Sequence, residues 1–193
     1  MKNNISFSPE ESIRLIYDTI ARARDRFEAH GRIFLFWGIL IALASFGQYA
    51  LTISGHARES WYPYLLIPAG FVYTYLYFKK HSEPGPGNPF QSLMAVLWTV
   101  IGLNMMLLGF LFGAVLKTHL LPVILLLQGI GMVISGGLLR SKILWVSGLI
   151  INMAAFVSLA LNPTRQALLA GIIALTCIAF PGWLLMKKRN NHV

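Results

Sequence analysis

From residue 34 onward the chain alternates long uncharged apolar blocks with short polar joints. The blocks are Phe34–Ile53, Trp61–Phe78, Leu93–Leu116, Leu120–Leu139, Ile143–Leu161 and Ala167–Met186. Each is bounded by charge, Pro or Gly. Each is long enough to cross a bilayer as a helix of about 20 residues. The joints are short, so neighbouring spans should form antiparallel hairpins. The longest break, Lys79 to Pro89, reads KKHSEPGPGNP, and its prolines and glycines mark a loop or hinge. The pattern therefore predicts an all-α, polytopic membrane protein with six transmembrane helices. A hairpin over 34–78 is followed by a loop over 79–89 and four helices over 93–186.

Ahead of these blocks the pattern changes to a helical stripe. Ser8-Pro9-Glu10-Glu11 has the form of a helix start: Ser8 caps, Pro9 fits the first helical position, and Glu11 can complete a capping box. Ile13, Ile16, Ile20, Ala23 and Phe27 then recur in steps of three and four, which places them on one face. Arg14, Asp18, Arg22, Asp25 and Arg26 take the opposite face. The expected organisation is a cytoplasmic amphipathic arm over 1–32, a membrane domain over 33–187 and a basic tail over 188–193. Between Ser8 and Ala29 four arginines stand against five acids. A helix that lies on lipid is usually rich in Lys and Arg on its polar face, so the stripe is expected to pack on protein. It is a candidate for self-association or for a protein partner.

Composition sharpens this picture. Only 12% of the residues are charged, against roughly 25% in soluble domains. The net charge of +9 does not point to nucleic acid, because the basic residues lie between apolar blocks and form no face interleaved with stacking aromatics. They read instead as topology signals. With a cytoplasmic N-terminus, thirteen Lys and Arg fall inside and only Arg58, Lys117 and Arg165 fall outside. That bias predicts both termini in the cytoplasm. About thirty polar residues precede the first apolar block, so no cleavable signal peptide is expected. Trp37, Trp145 and Trp183 sit near expected cytoplasmic ends and Trp61 near an outer end, as interfacial anchors do. Trp98 lies deeper and is expected to pack against a neighbouring helix. The second block holds five tyrosines, most of them near its ends, and Pro68 is expected to kink it.

Chemistry is scarce. No Asp, Glu, Lys or Arg lies inside an expected span, whereas proton- and ion-coupled transporters keep such groups at membrane depth. The intramembrane amides are Gln48, Asn104, Gln128 and Asn152. They read as interhelical glue, or alternatively as the lining of a polar path if several converge. Gly109 and Gly113 in the third block, Gly129 and Gly136 in the fourth and Gly148 in the fifth are expected at close helix crossings. The five histidines lie in loops or termini, and His56 and His119 share the expected outer face without a carboxylate set. No catalytic residue, metal site or cofactor is predicted. Cys177 stands alone within an apolar block.

The opening arm, Ser8-Pro9-Glu10-Glu11-Ser12 through Gly31, followed by Phe36-Trp37-Gly38, resembles the start of a family of small uncharacterised bacterial membrane proteins. That family has six spans and an N-terminal amphipathic arm. The resemblance implies a bacterial cytoplasmic (inner) membrane and no particular activity. The expected function is that of a non-enzymatic multi-pass protein: a scaffold, subunit or regulator working through its arm, with the lipid bilayer as its surroundings. The alternative is a channel or carrier for a neutral or apolar small solute, lined by the four amides and the tyrosine-rich block. An intramembrane enzyme ranks behind both.

Overall fold

Where the apolar blocks fall, the chain is helical, and the helix ends follow local backbone chemistry. The computed structural model describes residues 13, 14, 31–81 and 89–190, and no strand occurs among them. Helix α1 (Gly31–Ile53) stops at Gly55, which adopts φ 84°. There the His56 N–H donates to Leu51 O at 2.9 Å and the Gly55 N–H to Thr52 O at 3.3 Å. This is the Schellman pattern, which needs a left-handed residue after the helix. A 3₁₀ turn (Tyr62–Leu65) then leads into α2 (Leu66–His81). Pro68 falls in the first turn of α2, where no intrahelical N–H is required, so it opens the helix instead of bending it.

Helix α3 (Pro89–Phe110) ends before the block does. Leu111 and Phe112 are non-helical, and a single turn, α4 (Gly113–Leu116), follows. A 3₁₀ turn (Lys117–His119) leads to α5 (Leu120–Leu138). The tight turn into α6 (Lys142–Leu159) repeats the Schellman pattern: Ser141 N–H donates to Gly136 O at 2.9 Å and Arg140 sits at φ 49°. Helix α7 (Pro163–Ala174) is capped by Asn162, whose Oδ1 accepts from Arg165 N–H at 2.9 Å. A π turn (Leu175–Ala179) joins α7 to α8 (Phe180–Asn190) without a break. Pro181 supplies no N–H for the Cys177 carbonyl, and the helix widens just before it, with Phe180 N–H donating to Leu175 O. The wider turn buries three consecutive residues, Cys177, Ile178 and Ala179, which an ordinary helical stripe does not do.

Five helical stretches are long and apolar enough to cross a membrane: Gly31–Ile53, Ser92–Phe110, Gly113–Leu138, Lys142–Leu159 and Pro163–Lys187. The sixth expected span falls on the 3₁₀ turn plus the 16-residue α2 and is not among the five. The expected loop over 79–89 is narrower at both ends, since Lys79 to His81 finish α2 and Pro89 starts α3. Of the arm, Ile13 and Arg14 are helical and exposed. Ile16, Ile20, Ala23 and Phe27 lie outside the described residues.

Glycine decides how closely the helices meet. α5 and α6 form the most extensively packed pair. A Cβ on Gly148 would stand 2.5 Å from Val133 N, one on Gly129 would stand 2.7 Å from the Asn152 amide, and one on Gly136 would run into the Trp145 backbone. α1 lies as tightly along α7 and α8. A Cβ on Gly38 would strike the backbone of Ala179, and one on Gly182 would stand 2.5 Å from Leu35 N. Between these two pairs lies the core of Phe34, Leu125, Met132, Leu144, Ile151 and Ile178. α3 packs on α5, and α2 on α1.

Candidate functional site

Among the described residues, the polar groups within the apolar helices are the candidates for a site, so their partners matter most. Gln48, in the last turns of α1, accepts a hydrogen bond at Oε1 from Tyr64 Oη at 2.9 Å. Ser45 Oγ lies 3.3 Å from the same phenol oxygen. Asn152 Nδ2 donates to Gly148 O at 3.1 Å, with its amide seated against Gly129. Asn104 Nδ2 donates to Val100 O at 2.8 Å from an exposed position on α3. Gln128 is half-buried, and its side chain makes no hydrogen bond among the described residues. Asn104 thus faces outward while Asn152 faces α5, and the amides do not converge on one path.

Two tryptophans do something that the sequence reading did not foresee. Trp37 Nε1 donates to Thr74 Oγ1 at 2.9 Å, and Thr74 Oγ1 donates to Gly70 O at 2.8 Å. Trp98 Nε1 donates to Ser135 Oγ at 3.1 Å. Each indole lies over a glycine one turn before the hydroxyl. A Cβ on Gly70 would stand 3.0 Å from Trp37 Cη2, and one on Gly131 would stand 3.3 Å from Trp98 Cη2. Both pairs are 37 residues apart in the chain. The signal was legible as Trp followed by Gly-x-x-x-Thr/Ser at a fixed distance, but only interhelical contact makes that distance meaningful. Trp37, read as an interfacial anchor, is therefore a packing residue like Trp98.

Gln166 was also missed, because it stands one residue before the expected last span. It is buried, and its Nε2 lies within bonding distance of three carbonyls: Ser158 O at 2.9 Å, Thr118 O at 3.0 Å and Leu161 O at 3.1 Å. Those oxygens end α6 and the turn before α5. Ser158 O also accepts the Leu161 N–H at 3.0 Å, and the one amide gathers all three carbonyls. At the opposite end Phe180 and Trp183 stack with centroids 5.9 Å apart, and Lys187 Nζ lies 5.4 Å from the Trp183 ring. That is the amphipathic dressing of a helix end at an interface.

The glycine expectations divide. Gly129, Gly136 and Gly148 occupy the α5–α6 crossing. Gly109 is open, with nothing described within 4 Å of a Cβ built on it, and Gly113 meets Leu120 only at an ordinary 3.6 Å. The break at Leu111 and Phe112 puts these two on different helices, so they share no face. Gly31, Gly38, Gly171 and Gly182, none of them expected at a helix crossing, stand at the α1 crossing with α7 and α8. His56 and His119 are exposed, and among the described residues no three His, Cys, Asp or Glu side chains gather as a metal set. The buried polar side chains described are Ser45, Ser135, Ser147, Ser158 and Gln166, none of them charged. Comparisons of the chain with protein-family models, curated proteins and solved structures found no match.

Proposed function

We propose that this chain is a non-enzymatic multi-pass membrane protein, a scaffold, subunit or regulator whose residues 8–29 form its cytoplasmic handle. One observation carries the reading. Interior polar groups tie helices together through Trp37–Thr74, Trp98–Ser135, Tyr64–Gln48 and the Gln166 clamp. Glycines close the remaining crossings. A carrier or channel for a neutral solute has less support, because its amide lining would need Asn104 to turn inward.

Six spans remain the preferred topology. The Tyr62–Leu65 turn and α2 together reach about 32 Å at the usual rise per residue, matching a hydrocarbon layer of about 30 Å. The bias of thirteen basic residues against three favours both termini in the cytoplasm. The resemblance of the arm favours a bacterial inner membrane. Reporter fusions at Gly87 and Ser141 should read inside, and fusions at Gly55 and Thr164 outside. Reversal at any two sites would refute the topology. For the handle, a pull-down in mild detergent with the full chain should capture a protein that a chain lacking residues 1–30 does not. Identical captures would remove the arm from the proposal.

A further inference from the structure

α1 with α2, and α3 with α5, repeat one pattern of contacts. A single offset along the chain carries Trp37 to Trp98, Leu40 to Ile101, Gly70 to Gly131 and Thr74 to Ser135. In both pairs the indole N–H donates to the hydroxyl. In both, the glycine faces the ring together with the residue three places after the Trp. Leu40 Cδ2 stands 2.6 Å from a Cβ on Gly70, and Ile101 Cδ1 stands 2.7 Å from one on Gly131. The inner faces agree more widely. Between Leu66 and Lys80 the residues that are not exposed are Ile67, Gly70, Phe71, Thr74 and Tyr77. The offset takes them to Gln128, Gly131, Met132, Ser135 and Leu138, and none of these is exposed. Met94, Leu97 and Met105 of α3 likewise answer to Ile33, Phe36 and Ala44 of α1, and none of the six is exposed.

The outer faces depart from one another where the rest of the chain packs. Gly38 of α1 lies against the Ala179 backbone, while its counterpart Thr99 is exposed. Gly129 and Gly136 of α5 receive α6, while their counterparts Pro68 and Tyr75 are exposed. Neighbours outside each pair therefore account for these differences, and the face inside each pair is the same. The joints correspond as well. Each first helix is followed by a left-handed residue, Gly55 at φ 84° and Lys117 at φ 47°, one position out of step. Each pair closes with a cation at the matching position, Lys79 and Arg140.

We infer that α1–α2 and α3–α5 are two copies of one hairpin unit, set in the same orientation across the membrane. Copies that point the same way are related by an axis along the membrane normal, so matching residues lie at matching depths. α2 then crosses the bilayer as α5 does, although it is not among the five long apolar stretches. The bond from indole to hydroxyl is the internal tie of each unit. An indole N–H in hydrocarbon is costly to leave unpaired, and the glycine one turn before the hydroxyl lets the ring lie close. α6 to α8 are the added part, packed on α5 and on α1. The inference deepens the six-span reading and rests on its multi-pass topology, yet it fails separately. Reporter fusions read the side on which each joint lies, whereas depth reads the register of the copies. Reversed fusions with matched depths would refute the topology and keep the repeat.

The test uses the full chain in lipid vesicles, with a nitroxide on one introduced cysteine. The parent, whose only cysteine is the buried Cys177, supplies the background. Ile39→Cys and Val100→Cys form one matching pair, and Ala69→Cys and Ile130→Cys the other, all at exposed positions. Depth is read from the contrast between relaxation by dissolved oxygen and by a polar nickel chelate. Within each pair the depths should agree to one helical turn, about 5 Å, and the second pair should lie deep in the hydrocarbon. A difference beyond one turn in either pair overturns the proposal. An Ala69→Cys label at headgroup level beside a deep Ile130→Cys label is the form that failure takes if α2 lies on the surface. Thr74→Val and Ser135→Ala each leave an indole N–H unpaired. They should lower the melting temperature by comparable amounts, about 2–12 °C. A loss from one of them alone, or from neither, overturns the proposal as well.

Discussion

Two adjacent glycines should respond in opposite directions to the same methyl group. Gly136 and Gly137 are neighbours near the end of α5. A Cβ at Gly136 would collide with the backbone N and Cα of Trp145, and would stand 2.8 Å from its Cβ, whereas a Cβ at Gly137 meets nothing described within 4 Å. Backbone cannot rotate aside as a side-chain tip does, so Gly136→Ala must push α6 away. Overpacking of this kind costs about 1–3 kcal/mol, and contact with backbone places it in the upper half. The gain from replacing a helical glycine by alanine offsets about 1 kcal/mol. The net expectation is a loss of about 1–2 kcal/mol. The Gly136 carbonyl also receives Ser141 N–H at 2.9 Å, so the same shift loosens the turn. Gly137→Ala retains the propensity gain alone, about 0.5 kcal/mol so near a helix end. In detergent melting curves the first variant should fall by several degrees, at about 2–4 °C per kcal/mol for a chain of this size, and the second should hold or rise slightly. Equal losses from the two variants would show that the crossing at Trp145 is not as close as described.

Further expectations follow from single features of the fold. Gln166→Leu removes the side-chain donor from three carbonyls, of which Ser158 O keeps the Leu161 N–H, and should cost about 1–3 kcal/mol in the same melt; a silent substitution would mean that water or lipid headgroups serve the other carbonyls equally well. Gly55→Ala meets no atom within 4 Å but inherits φ 84°, so it should lose about 1 kcal/mol through backbone strain alone, and a gain in stability would contradict the described turn. Gly109→Leu should leave the melt almost unchanged, since nothing described crowds it; a loss comparable with Gly136→Leu would restore it to a helix crossing. Ile16→Asp with Ile20→Asp should release the arm to protease while the membrane domain stays folded, because burial of such side chains contributes on the order of 1.5–3 kcal/mol each. An arm cleaved freely in the parent and protected by added anionic lipid would transfer it to the membrane surface.

Apolar blocks and charged joints were enough to determine that the chain is helical and suited to a membrane. Hydrocarbon demands about 20 uncharged residues per crossing and helix-internal hydrogen bonds, and both demands are written locally along the chain. The α5–α6 glycines were legible for a related reason: a small residue in an apolar helix advertises a close crossing. What could not be read was which glycine faces which helix. Gly109 and Gly38 look alike in sequence, yet one is open and the other lies against the Ala179 backbone. The break after Phe110 and the π turn before Pro181 rotate the residues beyond them to new faces, and a 3.6-residue period cannot anticipate such rotations. The same holds for Trp37 with Thr74, Trp98 with Ser135, and Gln166 with Thr118. These partners are joined by interhelical hydrogen bonds across long stretches of chain, and only the packed arrangement of helices brings each donor within reach of its acceptor.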